Sequence, residues 1–346
     1  MIATATWIAE NQRDFAVSVG VTTLLIHTRW ADWTSTHYSG SYKFIDLLDH
    51  ASLLTCSDPR DHIYAFLGHP LMRASGIIPD YSKKKLEVYY DISVRALNDA
   101  GVRALSVVEH SKDTINENFP SWVIRWDVGF ILNSILSQQP YGASALPTLE
   151  MNINDNILQG RGIHIDTIST VIQISLDHDR KCILFTREDR TGILTLDHFI
   201  QYLLHHETPF AYQSSRELAL LTTLSADSRN TTKALADYVT WQRSGGSHTI
   251  IEEAVRNFWL DMASISHGRS FFITKKGFYG LGPCITQPGD TCTLFYGSMV
   301  PFVLRSQLST SAAFKLVGES FLKGFMNGGR IEMAEQGGHL NVISIC

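Results

Sequence analysis

The chain has 346 residues and a formal net charge of −5, with 29 Lys and Arg against 34 Asp and Glu, so no basic excess exists to hold a nucleic-acid backbone. Apolar residues make up 44%, enough for a sizeable core. No window approaches the about 18 uninterrupted apolar residues of a membrane span, and the opening residues MIATATWIAENQRDF lack the basic and apolar regions of a signal peptide. Five scattered cysteines (Cys56, Cys182, Cys284, Cys292 and Cys346) form no C-x-x-C pair. Free thiols in a reducing, cytoplasmic compartment are therefore expected, with no metal and no cofactor.

In chain order, residues 3–16 and 44–54 carry apolar residues at helical spacing, with a Trp-, Thr- and Ser-rich loop over 29–41. In CSDPRDHIYAFLGHP, Asp58 reads as an N-cap with Pro59 at the first helical position and Asp61 in the first turn, and Gly68 with Pro70 as the stop. Ser82 reads as the cap of a helix to about Ala100, with Gly101 as its stop and Leu86, Tyr89, Tyr90, Ser93 and Leu97 as its buried stripe. Leu105 to Val108 reads as a buried strand or helical turn. Phe119, Pro120, Trp122 and Trp126 form an aromatic plug whose indole N–H groups need partners once buried.

The polar stretch 134–150 is the expected linker or crossing loop. Residues 157–166 read as two strands about a Gly160–Gly162 turn, with further strands at 171–176 and 183–185. A helical insertion over 195–266 follows, interrupted at Pro209, with a capping box at Thr249 and Glu252. Residues 271–325 alternate short β-branched and aromatic runs with Gly and Pro, reading as a meander of four or five antiparallel strands, curled into a small barrel or packed on a second sheet. The expectation is an α+β fold: a mainly helical region over 1–133, a linker at 134–150, a β-barrel-like unit over 151–330 built from 151–185 and 271–325 around the insertion, and a tail over 331–346.

The signals for chemistry are sparse. Gly277, Gly280 and Gly282 have the wrong order and context for a dinucleotide loop, and neither a Walker loop nor a G-x-S-x-G elbow occurs. His205, His206 and Glu207 are adjacent rather than spaced for one metal ion. Asp290 reads as a turn residue. Asp58, Arg60 and Asp61 read either as helix-start residues or as an acidic–basic cluster. Glu319, inside a strand-like run, reads either as the partner of a cation such as Arg305 or as a catalytic acid. The candidate site residues are thus Asp58, Arg60, Arg269, Arg305 and Glu319.

Several of these stretches together resemble one family. They are Cys56-Ser57-Asp58-Pro59-Arg60-Asp61-His62-Ile63-Tyr64-Ala65-Phe66-Leu67-Gly68, Ile78-Pro79-Asp80-Tyr81-Ser82, Phe119-Pro120-Ser121-Trp122-Val123 with Trp126, Gly268-Arg269-Ser270-Phe271-Phe272, Gly277-Phe278-Tyr279-Gly280-Leu281-Gly282-Pro283, Gly289-Asp290, Pro301-Phe302-Val303-Leu304-Arg305 and Leu316-Val317-Gly318-Glu319. In order and spacing they resemble the region downstream of the signature domain in fungal heterokaryon-incompatibility (HET) domain proteins. The L-S-Y-x-W-G, W-I-D-x-x-C-I-N-Q and W-x-x-R-x-W blocks of that domain do not occur. The resemblance implies a HET-like protein without its signature domain, and no catalytic residue transfers with it.

Three readings follow. The first is a HET-like protein acting non-catalytically through a protein partner in incompatibility or its regulation. The second is an accessory enzyme of cyclase or isomerase type in fungal secondary metabolism, taking an apolar metabolite. The third is a remnant exposing the apolar patch left by a lost domain.

Overall fold

The structure, a computed structural model, describes residues 43–52, 54–73, 75–128, 135, 151–176, 183–187, 192–205, 208–227, 236, 238–240, 262–307, 313–326 and 340–346. The helix expected over 3–16, the loop over 29–41, nearly all of the linker over 134–150, the helix from Thr249 to residue 261, the pair His206-Glu207 and Cys182 lie outside these residues. The chain forms two compact units, Met1–Ala100 and Gly101–Cys346.

In the first unit the helix Phe44–Ala51 buries Phe44, Ile45, Leu47, Leu48 and Ala51. The Asp46 carboxylate accepts from the Lys43 backbone N–H at 2.8 Å, satisfying one of the orphan donors at a helix start. The long helix Lys85–Ala100 starts three residues after Ser82. Ser82 does not cap it; its N–H and hydroxyl both donate to Asp80 Oδ1, closing a turn, and the Glu87 carboxylate instead accepts from Lys84 N–H at 2.7 Å. Val88, Tyr89, Ile92, Ser93, Ala96 and Leu97 are buried, while Leu86 and Tyr90 lie at the margin.

The second unit opens at Gly101, whose φ of +59° no L side chain adopts easily, and runs into a 3-10 helix over Gly101–Val107. Its strands are β1 (Asn152–Asn154), β2 (Ile157–Leu176), β3 (Ile183–Arg187), β4 (Ile193–Leu194), β5 (Arg269–Thr274), β6 (Tyr279–Pro283), β7 (Thr291–Phe295), β8 (Phe302–Ser306), β9 (Ala313–Glu319), β10 (Phe321–Leu322) and β11 (Asn341–Ile345). The fold is α+β with a mostly antiparallel sheet.

The 20-residue strand β2 corrects the expected two strands about a glycine turn. Gly160 and Gly162 stay extended inside it because neighbours leave no room for a side chain: a Cβ at Gly162 would fall 2.6 Å from the Leu294 carbonyl oxygen. The first half of β2 pairs with β11, β11 with β9, β9 with β8, β8 with β7, and β7 returns to β2, so five strands close a ring. Closure removes free edges. The second half of β2 carries β3 on one edge and β5 on the other, and β5 continues to β6 and β10.

One hydrophobic core draws on six strands through Ile165, Ile168 and Val171 (β2), Phe272 (β5), Cys292 and Leu294 (β7), Val303 (β8), Val317 (β9) and Leu322 (β10). Strand β6 contributes absence: a Cβ at Gly280 would lie 2.2 Å from the Phe272 ring. The glycines that punctuate this run are therefore packing residues as much as turn residues. The last strand, β11, lies in the segment read as a tail; it runs parallel to β9, and such a pairing has no local turn to announce it.

Two helices of the insertion, Leu196–His205 and Arg216–Leu224, are described. Leu196, Phe199, Ile200 and Leu203 are buried, and Phe199 stacks on Phe185 of β3 (4.3 Å between centroids) and meets Phe271 of β5 edge-on at 5.4 Å. Between them, the chain at Pro209 and Phe210 packs on the β5–β6 turn, where Gly277 sits at φ +87° and the Ala211 N–H donates to its carbonyl.

Candidate functional site

The five charged candidates fall into three separate arrangements. In the first unit, Asp58 and Arg60 form a bidentate ion pair, with Nε to Oδ1 at 2.9 Å and Nη2 to Oδ2 at 2.6 Å. Asp58 Oδ1 also accepts from the Arg60 backbone N–H at 3.0 Å, and the helical turn Asp61–Tyr64 begins only afterwards. Asp58 is thus a turn former and counter-ion rather than the expected N-cap. These bonds to Arg60 hold its carboxyl down at about 2.

Arg60 reaches further, donating Nη1 to the carbonyls of Tyr81 and Lys83 (2.5 and 2.9 Å) and lying 5.1 Å from the centre of the Tyr81 ring. Tyr81 donates its hydroxyl to Asp61 at 2.6 Å and meets Tyr64 edge-on, and Tyr89 donates to the Pro59 carbonyl. The first and second blocks of the family resemblance are therefore one physical object, a guanidinium clamp on the turn at 80–83. A pocket of about 270 Å³ lies beside it, with Tyr64, Asp80 and Lys83 in its wall.

In the second unit, Arg269 (β5) and Glu319 (β9) are paired in the interior, Nη2 to Oε1 at 2.8 Å, with side-chain exposures of 0% and 6%. Glu319 Oε1 also accepts from the Ile135 N–H at 2.5 Å. The partner of Glu319 is thus Arg269 and not Arg305. Arg305 (β8) instead grips the 285–290 turn, donating to both carboxylate oxygens of buried Asp290 (2.8 and 2.9 Å) and to the Ile285 carbonyl at 2.7 Å. Asp290 also accepts from Gln287 N–H at 2.9 Å, so the residue read as a simple turn former is the anchor of that turn.

Sequence reasoning passed over His110. It is buried, with Nε2 donating to the Ser121 carbonyl at 2.7 Å and Nδ1 3.3 Å from the Thr114 hydroxyl. Burial, followed by the nearby cations Arg125 and Lys315, pulls the imidazole down to about 4. Ser121 in turn ties three distant segments together: its N–H and hydroxyl donate to the Cys346 carbonyl, and its hydroxyl accepts from Leu316 N–H at 2.8 Å. No local pattern could have revealed a hub whose partners lie 195 and 225 residues away. Of the two plug indoles, Trp122 donates to the Asn156 carbonyl at 2.8 Å, whereas Trp126 Nε1 has no acceptor among the described residues.

Among the described residues, no three His, Cys, Asp or Glu side chains are grouped to hold a metal ion, and no helix is long and apolar enough to cross a membrane. Burial drives the Cys292 thiol far above its ordinary range, and burial raises Cys284 as well, which opposes thiolate formation at either.

Residues 229–340 match the Het-6 beta-barrel domain family. Over 70 residues the chain is 33% identical to heterokaryon incompatibility protein 6, OR allele, of Neurospora crassa, a match that covers 20% of this chain and 10% of that protein. Both matches support a relation to heterokaryon-incompatibility proteins. No solved structure matches it. The residues matched to the barrel family contain β5 to β10, while β2 and β11, which complete the ring, lie outside them. Arg269, Asp290, Arg305 and Glu319 fall within the matched span; Asp58 and Arg60 fall before it.

Proposed function

We propose that this HET-related chain acts through contact with a protein partner in incompatibility or its regulation, without catalysing a reaction of its own. The observation that supports this reading is how the candidate charges are used. Arg60 holds backbone carbonyls, Arg305 anchors a turn, and Arg269 and Glu319 neutralise each other in the interior. Each guanidinium and carboxylate serves shape, and a rigid, shaped surface is what recognition of a partner requires.

The test is deletion of the gene in its source fungus, followed by confrontation with tester strains and metabolite profiling by mass spectrometry. The expected result is an altered compatibility reaction with an unchanged metabolite profile. Disappearance of one compound with accumulation of its precursor, compatibility being unchanged, would overturn the reading in favour of a pathway enzyme.

A further inference from the structure

A cleft of about 440 Å³ opens in the second unit between the loop 116–120, the β1–β2 turn, the end of β8 and the strands β9 and β11. That volume lies within the range of about 300–1,000 Å³ typical of small-molecule sites. Its walls are cross-tied before any ligand arrives. Trp122 Nε1 fixes the turn through Asn156, Lys315 Nζ donates to the Ile115 carbonyl at 2.6 Å, and Ser121 ties the loop to Leu316 and Cys346. Arg125, 4% exposed, locks the same loop through Glu117 and Asp127. The turn itself places Asp155 and Asn156 at φ +48° and +64°, the left-handed pair that Asp and Asn tolerate best.

Against this rigid frame, four polar side chains in the wall, with Asn118, Asp155 and Asn156 exposed and Gln307 half-buried, are open to a ligand. The amides of Asn118, Asn156 and Gln307 and the carboxylate of Asp155 make no hydrogen bond among the described residues. A side-chain amide offers donors and an acceptor in one plane, which is the complement of a hydroxyl that both donates and accepts. Phe119 and Pro120 add apolar surface for the C–H face of a ring. The charges disfavour an anion: the Lys315 ammonium is engaged with the Ile115 carbonyl and Glu117 is paired with Arg125, which leaves the Asp155 carboxylate as the charge facing a ligand. We propose that this cleft binds an uncharged, polyhydroxylated small molecule of monosaccharide size, through Asn118, Asp155, Asn156 and Gln307.

The experiment is calorimetric titration of the full chain with glucose, mannose, galactose and N-acetylglucosamine, with glucose 6-phosphate and a blocked tripeptide alongside. At least one neutral sugar is expected to saturate. Asn118→Ala and Gln307→Ala are each expected to weaken it about five- to tenfold, the effect of one net hydrogen bond, with thermal midpoints unchanged. Three results would overturn the assignment: no neutral sugar saturating by about 50 mM, an affinity too weak to matter; wild-type affinity in the Asn118→Ala/Gln307→Ala double variant; or tighter binding of the phosphorylated sugar or the tripeptide than of every neutral sugar.

Discussion

The two units use the same ion pair in opposite ways. In the first, Arg60 and Asp58 meet near solvent, and the guanidinium does most of its structural work through neutral carbonyls of Tyr81 and Lys83. In the second, Arg269 and Glu319 meet in an interior that has removed both from water. A pair near solvent gains little because water competes for each charge; a buried pair is held in place because neither charge can be left alone there. The first arrangement therefore positions a segment, and the second constrains which strands stand together.

The contrast can be broken at its strong end first. Arg269→Ala is expected to destabilise the second unit by about 3–5 kcal/mol, because it removes the counter-charge that faces Glu319 in the interior. Arg269→Met with Glu319→Leu is expected to recover most of that loss, and chemical denaturation of the three proteins measures both. An equal loss in the double variant would mean that packing rather than uncompensated charge sets the cost.

Next comes acid. His110 is held near 4 in the folded protein against an ordinary 6.5, so below 6.5 the unfolded chain takes up a proton that the folded one refuses. Its contribution is complete above about 6.5 and lost as pH falls toward 4. At most this amounts to about 3 kcal/mol at about 1.4 kcal/mol per unit. The thermal midpoint should fall as pH drops through this window in the wild type and fall less in His110→Gln. Asp58 acts lower, its contribution present above 3.8 and lost as pH falls through about 2.

Gly280→Ala follows, with an expected loss of about 1–3 kcal/mol from overpacking, since the new methyl would meet the Phe272 ring. Pairing it with Phe272→Leu should restore part of the stability if the ring is the cause. Smallest of all, Asp58→Asn should barely move the melting midpoint in high salt, while the Tyr81 hydroxyl bond to Asp61 persists. A large shift there would erase the distinction between the two units.

Much of the β unit was legible locally. The turns at Gly277, Gly289 and Gly297 all sit at positive φ, as a Gly-punctuated run of β-branched residues implies. The helix end at Ala100 followed from Gly101. Gly160 and Gly162 misled, because a glycine demanded by a neighbouring carbonyl looks the same in sequence as one demanded by a turn. Glu319 could be recognised as a paired charge, yet two arginines were equally placed to meet it, and only β-strand register separates Arg269 from Arg305. The cleft residues Asn118, Asn156 and Gln307 carried no signal, since isolated amides in loops are ordinary.

By itself, the sequence determined what depends on neighbours within a few residues: the α+β class, the strand-and-turn rhythm of 269–322, the helix periods and the resemblance to HET proteins. Tertiary structure alone decided what depends on residues far apart. The closing of β2, β11, β9, β8 and β7 into a ring, the choice of Arg269 for Glu319 and the meeting of Ser121 with Cys346 are such cases. The physical reason is that dihedral preference and side-chain period act along the chain, whereas burial, register and charge pairing act across it.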